Sequence, residues 1–216
     1  MTAQDIPSGP ARIAAIIPVG TLEGAKTRLG ETLDAEERQD LAERLLSRTV
    51  GAALAVERFA DVLVISPDRE VLHRAAGLGA RTLRQRSSGL NAGLAEARMD
   101  VVAGGADAIV VLPIDLALVS AEALVDVLEP LTRAGVGSVV ALVTDRHGTG
   151  TNALALCPPE VIEFAFGLNS RAAHREAAEA AGAAYVEVEG PLAIDIDTPA
   201  DLVLVDSLAS EGISAG

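Results

Sequence analysis

The chain has 216 residues, enough for one sizeable core, and combines a formal charge of −14 with only 2% aromatic residues. So acidic a composition argues against duplex DNA or an anionic membrane as partner. It also lacks the basic groove and aromatic platforms of a single-strand nucleic-acid binder.

In chain order, residues 1–11 carry Pro7, Gly9 and Pro10 and read as a flexible leader. No charged-then-apolar signal pattern opens the chain, and no apolar run approaches the roughly 20 residues of a membrane helix, so a soluble cytoplasmic protein is expected. "RIAAIIPV" (12–19) is the first predicted strand. The first helix follows: Asp34 with Glu37 forms a capping box, and Leu41, Leu45 and Thr49 recur at i+4. Strands are then predicted at 61–66, 108–113, 137–143, 152–157 and 183–189. Helices are predicted at about 69–78, 91–103, 120–133, 171–182 and 198–209, and residues 210–216 as a flexible tail. "AAII", "VLVI" and "IVVL" are continuous apolar runs, the mark of strands covered on both faces. The alternation predicts an α/β fold: a single-domain, Rossmann-like three-layer α/β/α arrangement around a mostly parallel, doubly wound sheet. Between 137 and 157 two strands flank a loop too short for a crossover helix, so that part should be antiparallel. The single cysteine, Cys157, excludes an internal disulfide and a CxxC metal site, and reads as a small buried hydrophobe at a strand end.

In open α/β sheets ligands bind beyond the carboxyl ends of the strands, which directs attention to particular loops. After the first strand, "GTLEGAKTRL" resembles a P-loop but has the wrong spacing, and the clear capping signal waits until Asp34. It still has the parts of an anion site: Gly20 and Gly24 for close backbone approach, with Lys26 and Arg28 as cations. The plainer alternative is a solvated loop whose cations offset Glu23 and Glu31. In "VVLPIDLALVS", Asp115 stands alone among apolar residues, a costly place for a carboxylate unless it is paired, bonded to loop amides or metal-bound. Mg²⁺ prefers one or two carboxylates plus substrate phosphates. In "LAIDIDTPADL", Asp195 and Asp197 alternate along an extended segment and share a face. Asp197 or Thr198 could cap the helix that Pro199 opens, whereas Asp195 lacks that role.

Two further stretches offer polar groups. In "SSGLNAGL" (87–94), Gly89 and Asn91 precede a helix; Asn91 is either its N-cap or a donor–acceptor group for a purine edge or ribose. "DRHGTGTNAL" and "FGLNSRAAH" gather Thr151, Gly167 and Ser170, amides and hydroxyls suited to phosphate or carboxylate near a helix start. His147 and His174 read as surface or helix-packing residues. With no Ser-His-Asp or Cys-His set, the inventory suits metal-assisted attack by an oxyanion already ionised at neutral pH.

Together "PVGTLEGAKTRL", "GLNAGL", "LPIDLAL", "DRHGTGTNAL", "FGLNSRAAH" and "DIDTPADL" resemble the CofC/FbiD family over about residues 12–208. Members are guanylyltransferases of deazaflavin-coenzyme (F-420) biosynthesis with a MobA-like nucleotidyltransferase fold. The resemblance implies that residues 12–209 join GMP from GTP to a phosphorylated three-carbon acid and release pyrophosphate. That acid is phosphoenolpyruvate in most bacteria, 2-phospho-L-lactate in archaea and, more rarely, 3-phosphoglycerate. By motif, Gly24, Lys26, Arg28, Gly89 and Asn91 would take the nucleotide, with Lys26 and Arg28 neutralising its triphosphate. Asp115 with Asp195 or Asp197 would hold Mg²⁺, and Thr151, Gly167 and Ser170 would bind the acceptor. A homodimer and hand-over of a labile product to the next enzyme are compatible with this reading. The chain has Gly20 where the family often has Lys, and FGLNS where it tends to read FGPGS. Another MobA-like nucleotidyltransferase, for molybdenum cofactor or a sugar phosphate, and a non-catalytic nucleotide-binding module are the alternatives.

Overall fold

A computed structural model describes residues 10, 12–21, 29–30, 32–132 and 137–210. The expected leader, except Pro10, and the tail beyond Ser210 lie outside them. Strands β1 (Ile13–Pro18), β2 (Phe59–Ser66), β3 (Arg81–Arg84), β4 (Ala108–Val111), β5 (Val139–Thr144), β6 (Thr151–Cys157) and β7 (Ala184–Glu187) form one sheet ordered β3-β2-β1-β4-β6-β5-β7. Helices α1 (Ala35–Ala55), α2 (Arg69–Gly77), α3 (Leu90–Ala103), α4 (Ala121–Thr132), α5 (Ser170–Ala180) and α6 (Pro199–Ser210) connect them. The capping box appears as read: Asp34 accepts the Glu37 amide at 2.9 Å and Glu37 accepts that of Asp34 at 2.9 Å. Among the described residues no helix is long and apolar enough to cross a membrane.

Two apolar layers sandwich the sheet. Ile13, Ala15 and Ile17 face α1, α2 and α4, whereas Ala14 and Ile16 face α3 and α5. That two-sided burial is why β1 and β4 are continuous apolar runs. The edge strand β3 behaves differently. β3 is "RTLR", exposed at both ends, with Arg81 paired to Asp61 and Asp100. Its polar sequence explains why no strand was expected there, since charge on an edge strand discourages further pairing.

The chain runs from β1 outward to β2 and β3, then returns by α3 to β4 on the other side of β1. That reversal places the loops after β1 and β4 side by side at the sheet's carboxyl edge. The antiparallel part is a single strand: β6 lies between β4 and β5 and runs against both. Its first residues therefore join the same edge. Val143 pairs with Ala153 and Thr144 with Thr151, leaving Asn152 as an extra residue, a β-bulge.

Candidate active site

The loop after β4 and the segment before α6 are zipped together at this edge. Leu116 and Asp195 form an antiparallel bridge, the Ala117 amide donates to Ile194 O at 2.9 Å, and the Ile196 amide donates to Asp115 O at 2.9 Å. Beneath them Leu29, Leu45, Ala117, Leu118 and Ile196 make a small apolar patch. Asp115 and the pair Asp195 and Asp197, eighty or more residues apart in sequence, become neighbours. Burial pushes the Asp195 carboxyl above its ordinary value; the charges of Asp115 and Asp197 push the same way, against a hydrogen bond from Asn152. No three His, Cys, Asp or Glu side chains among the described residues are grouped so as to hold a metal ion by themselves.

The start of α6 is organised by the acid of its own first turn. Buried Asp201 accepts the amides of Asp197 at 3.0 Å and Thr198 at 2.6 Å, and the Thr198 hydroxyl at 2.8 Å. Arg146, from the β5–β6 turn, forms an ion pair with it. The first-turn carboxylate thus reaches back over the helix start.

The β5–β6 turn is closed by Asp145, whose carboxylate accepts the Thr149 amide at 2.8 Å. The turn docks onto α5: the Arg171 amide donates to Thr149 O at 3.2 Å and its guanidinium to Gly148 O at 2.9 Å. Thr151, Ser170 and His174 meet here and are all buried. His174 Nδ1 lies 3.0 Å from the Thr151 hydroxyl, and Ser170 is one helical turn before it on α5. Gly167 holds φ +132 and Asn169 φ +58 where the chain turns into that helix, left-handed conformations that favour glycine and asparagine. So Thr151, Gly167 and Ser170 do belong to one corner. Deprived of water, His174 has a pKa lowered to about 4 and is neutral at physiological pH. His147 is exposed at the turn. Cys157 ends β6 half-buried against the core rather than fully inside it.

The loop before α3 is tied down at several points. Gly89, at φ +87, is the N-cap, so Asn91 lies within the first turn. The Asn91 carboxamide reaches 75 residues along the chain: its N–H donates to Phe166 O at 3.0 Å and its oxygen accepts the Phe166 amide at 2.9 Å. Gln85 donates to Ser87 O and Gly89 O, both at 3.0 Å. Glu96 accepts the Arg86 amide at 3.0 Å and the Ser87 amide at 2.5 Å. Gly93 gives Gln85 its room, because a Cβ there would come within 2.6 Å of the Gln85 amide carbon.

Gly24, Lys26 and Arg28 lie outside the described residues, but the ends of their loop do not. The Val19 amide donates to Ile65 O at 2.9 Å and Ser66 to Gly20 O at 3.3 Å, so the loop leaves from the same edge. Sequence reasoning gave no role to Arg146. Asn152, read in "GTGTNAL" as one of the amides suited to a phosphate or carboxylate, donates to Leu192 O at 2.9 Å as well as to Asp195.

A model of the family "Guanylyl transferase CofC like" matches residues 13–208. The phosphoenolpyruvate guanylyltransferase of Sphaerobacter thermophilus is 40% identical over 203 residues, covering 93% of this chain and 96% of that one. Among solved structures, a nucleotidyl transferase from Methanothermobacter thermautotroptrophicus superposes with a TM-score of 0.64 at 19% identity, over 93% of this chain and 99% of that one. Glucosyl-3-phosphoglycerate synthase from Mycobacterium tuberculosis, in complex with Mn²⁺, uridine diphosphate and glucosyl-3-phosphoglycerate, gives 0.58 at 14% identity, over 95% and 80%. The fold is the one shared by these nucleotide-using transferases.

Proposed function

The chain belongs to the CofC-like guanylyl transferase family, and on that premise we propose that it transfers GMP from GTP to phosphoenolpyruvate in the cytoplasm, as a step of coenzyme F-420 biosynthesis. The supporting observation is the Leu116–Asp195 bridge, which gathers Asp115, Asp195 and Asp197 at the carboxyl edge of β4. These are hard oxygen donors of the kind Mg²⁺ prefers, and a cation would offset the burial and the lesser repulsion that raise the Asp195 carboxyl. Asp115 with Asp195 or Asp197 would hold the ion. When bound, Mg²⁺ supplies positive charge shared by nucleotide and acceptor.

An acceptor phosphate oxygen forms a bond to the α-phosphorus of GTP, the bond from that phosphorus to the β-phosphate oxygen breaks, and pyrophosphate leaves with the electron pair. The nucleophile is already ionised, so no general base is required. Lys26 and Arg28 would neutralise the leaving pyrophosphate, with the Gly24 backbone close to the phosphates. Thr151, the Gly167 backbone and Ser170 would bind the acceptor's phosphate and carboxylate. Gly89 would lie against the guanosine, with Asn91 fixing the helix start to the acceptor loop. The net charge of −14 does not exclude anions from such a pocket, since distant carboxylates are screened over about 8 Å.

The test offers GTP and Mg²⁺ with phosphoenolpyruvate, 2-phospho-L-lactate or 3-phosphoglycerate separately and measures pyrophosphate. The next pathway enzyme is coupled in because the product is expected to be labile. Release with phosphoenolpyruvate alone is expected; GTP binding without release for any acceptor would leave a non-catalytic binding module. Hand-over of that product between enzymes, and a homodimer, fit the same reading. Gly93→Ala probes the nucleotide side. It displaces Gln85 from two loop carbonyls, while alanine favours the helix by about 1 kcal/mol. The expected result is a nearly unchanged melting temperature, a GTP KM raised about three- to tenfold, and an unaltered acceptor KM.

A further inference from the structure

The hydrogen bonds around His174 determine which ring nitrogen carries the proton. The Ala165 amide donates to Nε2 at 3.1 Å, so Nε2 must present its lone pair. Burial keeps the ring neutral at physiological pH, and its one proton is then on Nδ1. The 3.0 Å contact is consequently an Nδ1–H donating to the Thr151 hydroxyl oxygen. The edge contact with Phe166, with centroids 5.1 Å apart at 73°, fixes the ring plane.

A threonine hydroxyl ordinarily serves as donor or acceptor as its surroundings require. Here one lone pair is already occupied, and His174 cannot take the hydroxyl proton. Among the described residues, Thr151 Oγ has His174 as its one side-chain partner. The residue is buried, and a buried donor without an acceptor is costly. An oxyanion, which only accepts, supplies the complementary group.

We propose that His174 is a positioning residue that fixes the Thr151 hydroxyl as a dedicated donor to the anionic acceptor, while holding through Ala165 the segment that leads to Gly167. This deepens the acceptor site proposed above and rests on it. One imidazole would orient two of the three acceptor contacts without touching the substrate. It also accounts for an imidazole between Ser170 and Ala178 on the buried face of α5, where a leucine would fill space but set no proton.

Two variants separate the bonds. H174N keeps an amide N–H near the Nδ1 position and loses the Ala165 contact; H174Q keeps an acceptor near Nε2 and loses the donor to Thr151. Phosphoenolpyruvate KM and its calorimetric Kd, the GTP KM, and the imidazole ¹⁵N spectrum of the wild type are measured. The wild type should show protonated Nδ1 and bare Nε2. H174Q should weaken phosphoenolpyruvate by about 10- to 100-fold, with the GTP KM within about twofold, and H174N should recover most of the loss. A ring protonated on Nε2 overturns the proposal even if neither variant folds, and so do equal losses in both variants. A wild type that binds phosphoenolpyruvate but never releases pyrophosphate overturns the transferase reading instead; the spectrum and the two Kd values still decide the role of His174.

Discussion

Asp115→Asn is expected to lower kcat/KM for guanylyl transfer by at least about 10²–10³-fold, the scale of losing one electrostatic partner of the transition state. The substitution is nearly isosteric and retains the backbone carbonyl that accepts the Ile196 amide. The zip between the β4 loop and the segment before α6 should persist. Stability should hold or rise slightly, because one charge leaves the neighbourhood of Asp195. The same relief should bring the Asp195 carboxyl down toward its ordinary value, a change that ¹³C-detected titration can follow without any turnover. Near-normal activity in the variant would remove Asp115 from the mechanism. A collapsed fold would instead show that the residue is structural.

Asp201→Ala should produce the largest loss of stability among these substitutions. It strands two amides and a hydroxyl at the start of α6 and leaves Arg146 without its buried partner. Loss of a cap together with one side of a buried pair amounts to about 2–4 kcal/mol, or about 5–15 °C in melting temperature for a chain this size. The pH dependence has a definite sign. Burial raises the Asp201 carboxyl, but the amides of Asp197 and Thr198, the Thr198 hydroxyl and Arg146 outweigh it and set it below the ordinary 3.8. The stabilisation is therefore complete above that ordinary value and is lost as acid protonates the folded carboxyl. Wild type and variant should differ most in urea at neutral pH and converge in strong acid. A gap that does not close there would mean that the charge of Asp201 contributes nothing.

Much of this molecule was legible from local signals. Continuous apolar runs identified β1, β2 and β4, the Asp34–Glu37 box identified the start of α1, and the short connection predicted the β5–β6 hairpin. β3 escaped because an edge strand has no need of an apolar run; its Arg81 is held by acids from two other elements. The functional carboxylates were legible as residues but not as an arrangement. Only the Leu116–Asp195 bridge brings Asp115 to Asp195, and no periodicity announces a two-residue pairing across so long a separation. Asn91 illustrates the converse. Its position looked like a cap or a base reader, yet both ends of its carboxamide engage the backbone of Phe166. His174 was rightly seen as a helix-packing residue, but its tautomer depends on an amide nine residues away that sequence could not place.

The extra residue in β6 sets the phase of the pleat. Strict alternation would turn Asn152 away from the layer that Ala153 and Ala155 face and turn Thr151 toward it. The bulge at Asn152 reverses that order, so its carboxamide reaches Leu192 on one side of the sheet while Thr151 meets α5 on the other. Excising that single amino acid would restore strict alternation with the threonine still facing α5, so the imidazole would keep its hydroxyl while the aspartates lost their amide.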